Sequence, residues 1–499
     1  MKVRAACRCA GAMPLMYKAA GLYHDAMTSL IPPASLRVLF DAQHSASRAQ
    51  AAVSLAMRRD RLLRIQSMLN IHGPALARAV QLDFGVRSPQ LTEIADQFVL
   101  RTLLSSTLKN LAKWMKPVRV RTPLYLQPSR AWLERQPLGV VGVVSPWNYP
   151  VQLSLGPVIT ALAAGNRVML KPSELTPATS ALLAELIGKA FTADELCVVQ
   201  GDGSVAAEFA SLPFDHLFFT GSTAVGRKVA EAAAANLTPT TLELGGKSPC
   251  IIDASCDLDQ VAIKIAHGKL LNAGQTCIAP DYVLLPRGRE AAFGEAFARA
   301  VAKLFPTIAG NPDYASIISP RHHERLKGLL AEAQGEGARL QLINPGAAAS
   351  GENRQMAPVL VFDLAPGSRL LHEEIFGPIL PVLAYDSPHE AIGYINARPR
   401  PLALYWFGED GAARDQVLAR TVSGGVTVND TLMHIAHPNL PFGGVGESGW
   451  GAYHGEAGFL RLTQQKPVLL QSGWARGDLF YPPYGKRFDQ VMGLLKRLL

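Results

Sequence analysis

The hydrophobic pattern changes character once along the first half of the chain. From Ser35 to Met115 the residues are rich in Ala, Leu and Arg, and Leu62, Leu63, Ile65, Met68 and Leu69 recur at spacings that line one face of a helix. From Val140 the pattern alternates. Val140-Val141-Gly142-Val143-Val144 is a short β-branched run, suited to a strand buried on both faces. A helix-like stretch runs on to about Ala164, and Arg167-Val168-Met169-Leu170 is the next strand. Thr176 then reads as an N-cap with Pro177 in the first turn, and Leu182, Leu183, Leu186 and Ile187 supply that helix's buried stripe. Cys197-Val198-Val199 and His216-Leu217-Phe218-Phe219 are two further strands. This alternation predicts an α/β fold, a parallel sheet with helices on both faces. The stretch from Lys109 to Arg135 interleaves Lys113, Lys116, Arg119, Arg121 and Arg130 with apolar residues, as an exposed strand does. Pro345 to Asn353 reads as a surface loop.

Composition narrows the class. The 499 residues suffice for two or three domains, and 48% hydrophobic with 18% charged residues excludes a disordered chain. The net charge of +9 is spread along the sequence, and aromatic stacking platforms for nucleic acid are absent. Six cysteines in so long a chain do not form a disulfide framework, and a reducing cytoplasm is the expected compartment. Residues 1–33 are basic, with no acid before Asp25. A disordered leader or a mis-set start fits them, although a presequence shares that composition. The end, Phe488 to Leu499, is too short and too charged to span a membrane.

The chemistry sits in three runs. Cys277 ends Asn272-Ala273-Gly274-Gln275-Thr276-Cys277, and Glu243 lies in Leu242-Glu243-Leu244-Gly245-Gly246-Lys247. Pro146-Trp147-Asn148-Tyr149-Pro150 adds a side-chain amide. A soft nucleophile, an acid/base carboxylate and an oxyanion donor suggest covalent catalysis with proton relay. Gly444-Val445-Gly446-Glu447-Ser448-Gly449 satisfies G-x-G-x-x-G but opens no clear helix, so it fails the dinucleotide context. Gly221-Ser222-Thr223-Ala224-Val225-Gly226-Arg227-Lys228 follows a strand and opens a helix, so its amides can face a pyrophosphate. The histidines give no metal signal, because His322-His323 are adjacent and lack partners.

Together these runs closely resemble the aldehyde dehydrogenase superfamily, from about Leu36 to about Pro483. Leu170-Lys171-Pro172-Ser173-Glu174, Phe219-Thr220-Gly221-Ser222, Glu373-Glu374-Ile375-Phe376-Gly377-Pro378 and Leu440-Pro441-Phe442-Gly443-Gly444 match as well. Ala279-Pro280-Asp281-Tyr282 and Gly449-Trp450-Gly451-Ala452-Tyr453-His454-Gly455 resemble the class 3 branch, and within it the bacterial coniferyl aldehyde dehydrogenases.

The resemblance implies two parallel-sheet α/β domains plus a small β oligomerisation region. Residues 34–116 and 137–242 would bind NAD, 243–425 would carry catalysis, and 117–136 with 455–480 would build the oligomerisation region of a homodimer. Cys277 is then the nucleophile, Glu243 the general base and Asn148 the oxyanion donor. Trp147, Lys171, Glu174, Gly221, Ser222, Gly226, Leu244, Gly245, Glu374 and Phe376 would meet the cofactor. Glu174 would accept bonds from the ribose hydroxyls and favour NAD over NADP, with NADP still open. The expected partner is a small aldehyde, aromatic or medium- to long-chain aliphatic, in a tunnel lined by Trp147, Tyr149, Met433, His434 and Phe442. No metal, nucleic acid or integral membrane segment is expected. An acylating enzyme and a catalytically silent binding protein are the rival readings.

Overall fold

The computed structural model describes residues 33–343, 353–475 and 477–498. The expected leader, apart from Pro33, and nearly all of the expected 345–353 loop lie outside the described residues. The amino-terminal region is helical, as its pattern requires. The helix Leu55–Phe84 starts at Ser54, whose hydroxyl accepts the Met57 N–H at 3.3 Å, and stops at Gly85, where φ is +86°. Leu62, Ile65, Met68 and Leu69 are buried as a stripe. Leu63 is not part of it and is 50% exposed, since one residue along a helix turns the side chain by roughly 100°.

Among the described residues the strands form three sheets. The first runs in the order Gly449–Trp450, Thr240–Glu243, His216–Thr220, Val140–Val144, Arg167–Lys171, Leu196–Val198. Every pair in it is parallel except the short Gly449–Trp450 strand, which lies antiparallel to Thr240–Glu243. The register places Val144 beside both Lys171 and Phe219, and Thr220 beside Glu243. The carboxyl ends of four strands therefore form one rim, where parallel sheets hold ligands.

The second sheet has seven strands in the order Arg339–Leu342, Val359–Phe362, Ile379–Tyr385, Tyr282–Pro286, Pro249–Ile252, Ala403–Phe407, Gly425–Val428. Cys277 immediately precedes the Tyr282–Pro286 strand, and Glu374 precedes Ile379–Tyr385. The run that ends in Cys277 thus sits at the amino edge of this sheet. The chain from Glu243 to Pro249 links the carboxyl rim of the first sheet to that amino edge.

The third sheet is antiparallel, Val118–Val120 beside Arg130–Pro137 beside Thr463–Leu470. Here the basic stretch differs from expectation. Lys109 to Trp114 complete the helix Val99–Trp114, and only the later residues are strand. Buried Leu111 and Trp114 keep the helical period going beyond the point where basic residues begin to alternate.

Candidate active site

The run that ends in Cys277 is a strained, over-determined loop. The helix Leu258–Leu270 ends, and Asn272, Ala273 and Gly274 follow with φ of +51°, +54° and +79°. The left-handed conformation costs a non-glycine residue roughly 1–2 kcal/mol, so neighbouring contacts must hold it. Gln275 provides several of them. Its Nε2 donates to Asn272 O at 2.9 Å and Ser316 O at 3.0 Å, and its Oε1 accepts the Ile318 N–H at 2.9 Å. Gly274 has no room for a Cβ, which would run into the Gly377 carbonyl. The Tyr149 and Thr276 hydroxyls meet at 2.6 Å.

Cys277 keeps part of its surface open. Burial pushes its thiol above the ordinary range, and the Glu374 and Glu243 carboxylates add to that, while the amides of Cys277 and Ile278 oppose it. A thiolate here needs a base nearby. Glu243, at the last position of its strand, is buried, and burial holds its carboxyl well above the usual range. Neither of its oxygens has a protein hydrogen-bond partner. Such a carboxyl is suited to a water or a reacting proton, because leaving it unpaired is costly.

Asn148 is placed from behind. The Arg87 guanidinium donates to its carbonyl at 2.6 Å and the Asn272 amide at 3.0 Å. Arg87 in turn pairs with fully buried Asp96 at 2.7 Å, and Asp96 Oδ1 accepts the N–H groups of Val151 and Gln152. Asp96 lies on a π-helical turn, Glu93–Phe98. Asn148 Nδ2 donates to Gln275 O at 3.2 Å, a single bond for an amide nitrogen that carries two N–H groups.

The cofactor candidates lie on the carboxyl rim. Lys171 is buried and its ammonium meets Glu174 Oε2 at 3.2 Å, while Glu174 faces solvent. Ser222 caps the helix Thr223–Ala234, its hydroxyl accepting the Val225 N–H, so that helix points its amino end outward from the rim. Gly226 admits Leu244, whose Cδ2 would lie 2.5 Å from an added Cβ. Gly245 admits the Glu374 carboxyl into the same space. Glu374 is pushed up to about 8, by burial first and then by Asp281, against the Gly246 amide and the cations Lys247 and Arg325. The Trp147 ring lies 5.4 Å from Phe376 and 5.1 Å from His322. These residues fit a dinucleotide. They present a helix amino end, an exposed carboxylate for ribose hydroxyls, and a buried Glu374 Oε1 with no partner.

Tyr149 is buried; its hydroxyl meets that of Thr276 at 2.6 Å and the Arg87 guanidinium lies over its ring at 5.1 Å, so it braces the loop that carries Cys277. Met433 is about half-exposed, whereas Phe442 is buried between the His434 and His454 rings at 5.9 Å from each. The His322 ring packs edge-on against Trp147. Among the described residues no group of His, Cys, Asp or Glu is placed to hold a metal ion, and no helix is long and apolar enough to cross a membrane. Arg87, Asp96, Gln275 and Thr276 were not singled out as site residues. Gln275 and Thr276 lie inside a recognised run; Arg87 and Asp96 act over long sequence separations that leave no local pattern.

The aldehyde dehydrogenase family model matches residues 31–468. The chain is 47% identical over 462 residues to the coniferyl aldehyde dehydrogenase of a Pseudomonas species, covering 92% of this chain and 95% of that one. It is 37% identical over 448 residues to the 4,4'-diaponeurosporen-aldehyde dehydrogenase of Staphylococcus aureus, covering 90% and 96%. Among solved structures, the substrate-bound Staphylococcus aureus AldH superposes with a TM-score of 0.87 at 35% identity, covering 92% of this chain and 99% of that one. An NAD-dependent aldehyde dehydrogenase from Sinorhizobium meliloti gives 0.81 at 28% identity, covering 91% and 89%.

Proposed function

The chain belongs to the aldehyde dehydrogenase family, an oxidoreductase acting on aldehydes with NAD or NADP, and on that premise we propose that it oxidises an aromatic aldehyde of the coniferyl type with NAD. Glu243 takes the Cys277 thiol proton and releases it to solvent, and the Sγ thiolate attacks the aldehyde carbon to give a thiohemiacetal, whose oxyanion takes N–H bonds from Asn148 and from the Cys277 amide. Bound NAD supplies the acceptor for the hydride that leaves this adduct, so that Cys277 is left carrying a thioester. Glu243 then takes a proton from water as the water oxygen attacks the thioester carbon; the C–S bond breaks and the acid departs. The single observation that carries this reading is the Glu243 carboxyl, buried and unpartnered beside the Cys277 thiol. It favours hydrolysis over transfer to a thiol acceptor, because it supplies a base for water.

Trp147, Gly221, Ser222, Gly226, Leu244 and Gly245 shape the dinucleotide groove in this proposal, Lys171 and Glu174 hold the adenosine ribose, and Glu374 and Phe376 hold the nicotinamide ribose. We place the enzyme in the cytoplasm as a homodimer. A second reading, a long apolar aldehyde, draws on the Staphylococcus aureus relative named for 4,4'-diaponeurosporen-aldehyde. The test is NADH absorbance with aromatic, medium-chain and long-chain aldehydes, each with NAD and NADP. Highest kcat/KM for coniferyl aldehyde with NAD is expected. A higher value for a long aliphatic aldehyde selects the second reading, and no reduced cofactor with any aldehyde leaves a silent binding protein.

A further inference from the structure

Asp281 stands four residues past Cys277, where that segment enters the Tyr282–Pro286 strand, and it is buried. It ties the Cys277 segment to two others. Its N–H donates to Ser248 O at 2.8 Å, in the link that follows Glu243. Its Oδ1 accepts the Ile375 N–H at 3.2 Å, and its Oδ2 pairs with Lys247, whose ammonium also donates to Glu373 O at 3.0 Å. The residues on both sides of Glu374 are therefore held through one carboxylate. The Arg325 guanidinium holds the same segment, donating to Glu374 O at 2.7 Å and to Ile375 O at 2.8 Å. Such restraint is needed, because Phe376 has φ of +54°, a conformation that an L residue keeps only where its surroundings impose it. The result is a Glu374 carboxyl laid against Gly245, in the space a Cβ there would take.

A second cation faces the same carboxylate. The Lys269 ammonium is 1% exposed, lies 3.9 Å from Asp281 Oδ1 and has no hydrogen-bond partner among the described residues. A buried ion is costly unless it is paired, so balancing Lys247 and Lys269 is one role for Asp281. Charge balance alone does not require the bond to the Ile375 N–H, nor a Lys247 that reaches on to Glu373 O. Those two bonds fix where Glu374 stands. We propose that Asp281 is a positioning residue for the cofactor: with Lys247 it sets the Glu373–Phe376 segment so that the Glu374 carboxylate reaches the nicotinamide ribose and the dinucleotide lines up with Cys277. This rests on the ribose contact proposed for Glu374. Asp281 touches neither cofactor nor aldehyde in this role, and it moves no proton.

D281N removes the charge and keeps the size of the side chain. NAD binding, read by intrinsic Trp fluorescence, should weaken about tenfold, the size expected for loosening a bond to a charged group. The NADH burst on rapid mixing with excess aldehyde should slow, and it should slow further with aldehyde deuterated at the reacting carbon, because a misaligned ribose makes hydride transfer limiting. D281N also leaves Lys247 and Lys269 without their counter-charge, so the Tm of the cofactor-free protein should fall. Adding K269M to D281N removes one unpaired ammonium. That double variant should recover much of the Tm while NAD binding and the burst stay impaired, and it carries the same comparison should D281N alone be unstable. Binding and burst that recover together with Tm reduce Asp281 to a counter-charge and overturn the proposal. Wild-type binding and burst in D281N overturn it as well. E374Q tests the premise separately. If E374Q binds NAD and forms NADH as the wild type does, the ribose contact fails and the proposal with it; if E374Q is impaired and D281N is not, only the positioning role fails.

Discussion

At the scale of single residues, burial sets the chemistry. Cys277 and Glu243 are both shifted toward their neutral forms, mainly by loss of water. A neutral carboxyl cannot accept a proton and a neutral thiol is a poor nucleophile, so both shifts make turnover rise with pH. The kcat profile should therefore climb above the ordinary carboxylate range, and E243Q should flatten that climb. The pH–rate curves of the two proteins decide it; an E243Q limb identical to wild type would assign the climb elsewhere. C277A should abolish NADH formation while NAD still binds, because the thiol lies apart from the Lys171–Glu174 rim; intrinsic Trp fluorescence with added NAD measures the binding. E174Q should weaken NAD and narrow its advantage over NADP. The amide removes repulsion against a 2′-phosphate but accepts weaker bonds from ribose hydroxyls. An unchanged ratio of kcat/KM for the two cofactors would mean that Glu174 does not touch the ribose.

At the scale of elements, the helix Pro177–Ala190 shows what sequence carries and what it does not. Its start was legible from Thr176-Pro177, and its buried face from Leu183, Leu186 and Ile187, with Leu182 half-buried. Its cap was not legible. Thr176 occupies the N-cap position without a side-chain hydrogen bond, and Asp83, from the end of the Leu55–Phe84 helix, accepts the N–H groups of Ala178 and Thr179 at 2.8 and 2.9 Å. A carboxylate at a helix amino end is favourable whichever segment supplies it, and a distant acceptor leaves no local signature. The same limit hid Asp96, whose π-turn serves residues more than fifty positions away. The parallel strands, in contrast, were written in short β-branched runs. The Asp83 cap predicts that D83A costs about 1–2 kcal/mol, read as a lower Tm with near-normal kcat. D83N should recover part of that loss, because its amide oxygen still accepts. Equal loss in both variants would show that the carboxylate charge, rather than the bond, does the work.

At the scale of the molecule, the three-stranded sheet is the part left without a finished surface. It carries both exposed apolar side chains and unpaired strand edges. Val118 and Val120 are 40% and 46% exposed, and Leu469 and Leu470 at the far strand are 51% and 55% exposed. Among the described residues the Val118–Val120 and Thr463–Leu470 strands are both edges, since each pairs there only with Arg130–Pro137. An open edge beside apolar side chains invites a second chain, and a two-fold contact would bury the same patch on both copies. The proposed homodimer uses this sheet. Replacing Val118 and Val120 together by Lys places like charges on both sides of such a contact, next to Arg119 and Arg121, which are already basic. The double variant should sediment as a monomer at concentrations where the wild type is a dimer, and added salt should restore part of the association by screening the charges. Its fold should survive, because neither side chain enters the core. Sedimentation velocity at low and high salt reads the outcome. A variant that stays dimeric moves the interface away from this sheet, and a wild type that is monomeric throughout removes the need for one.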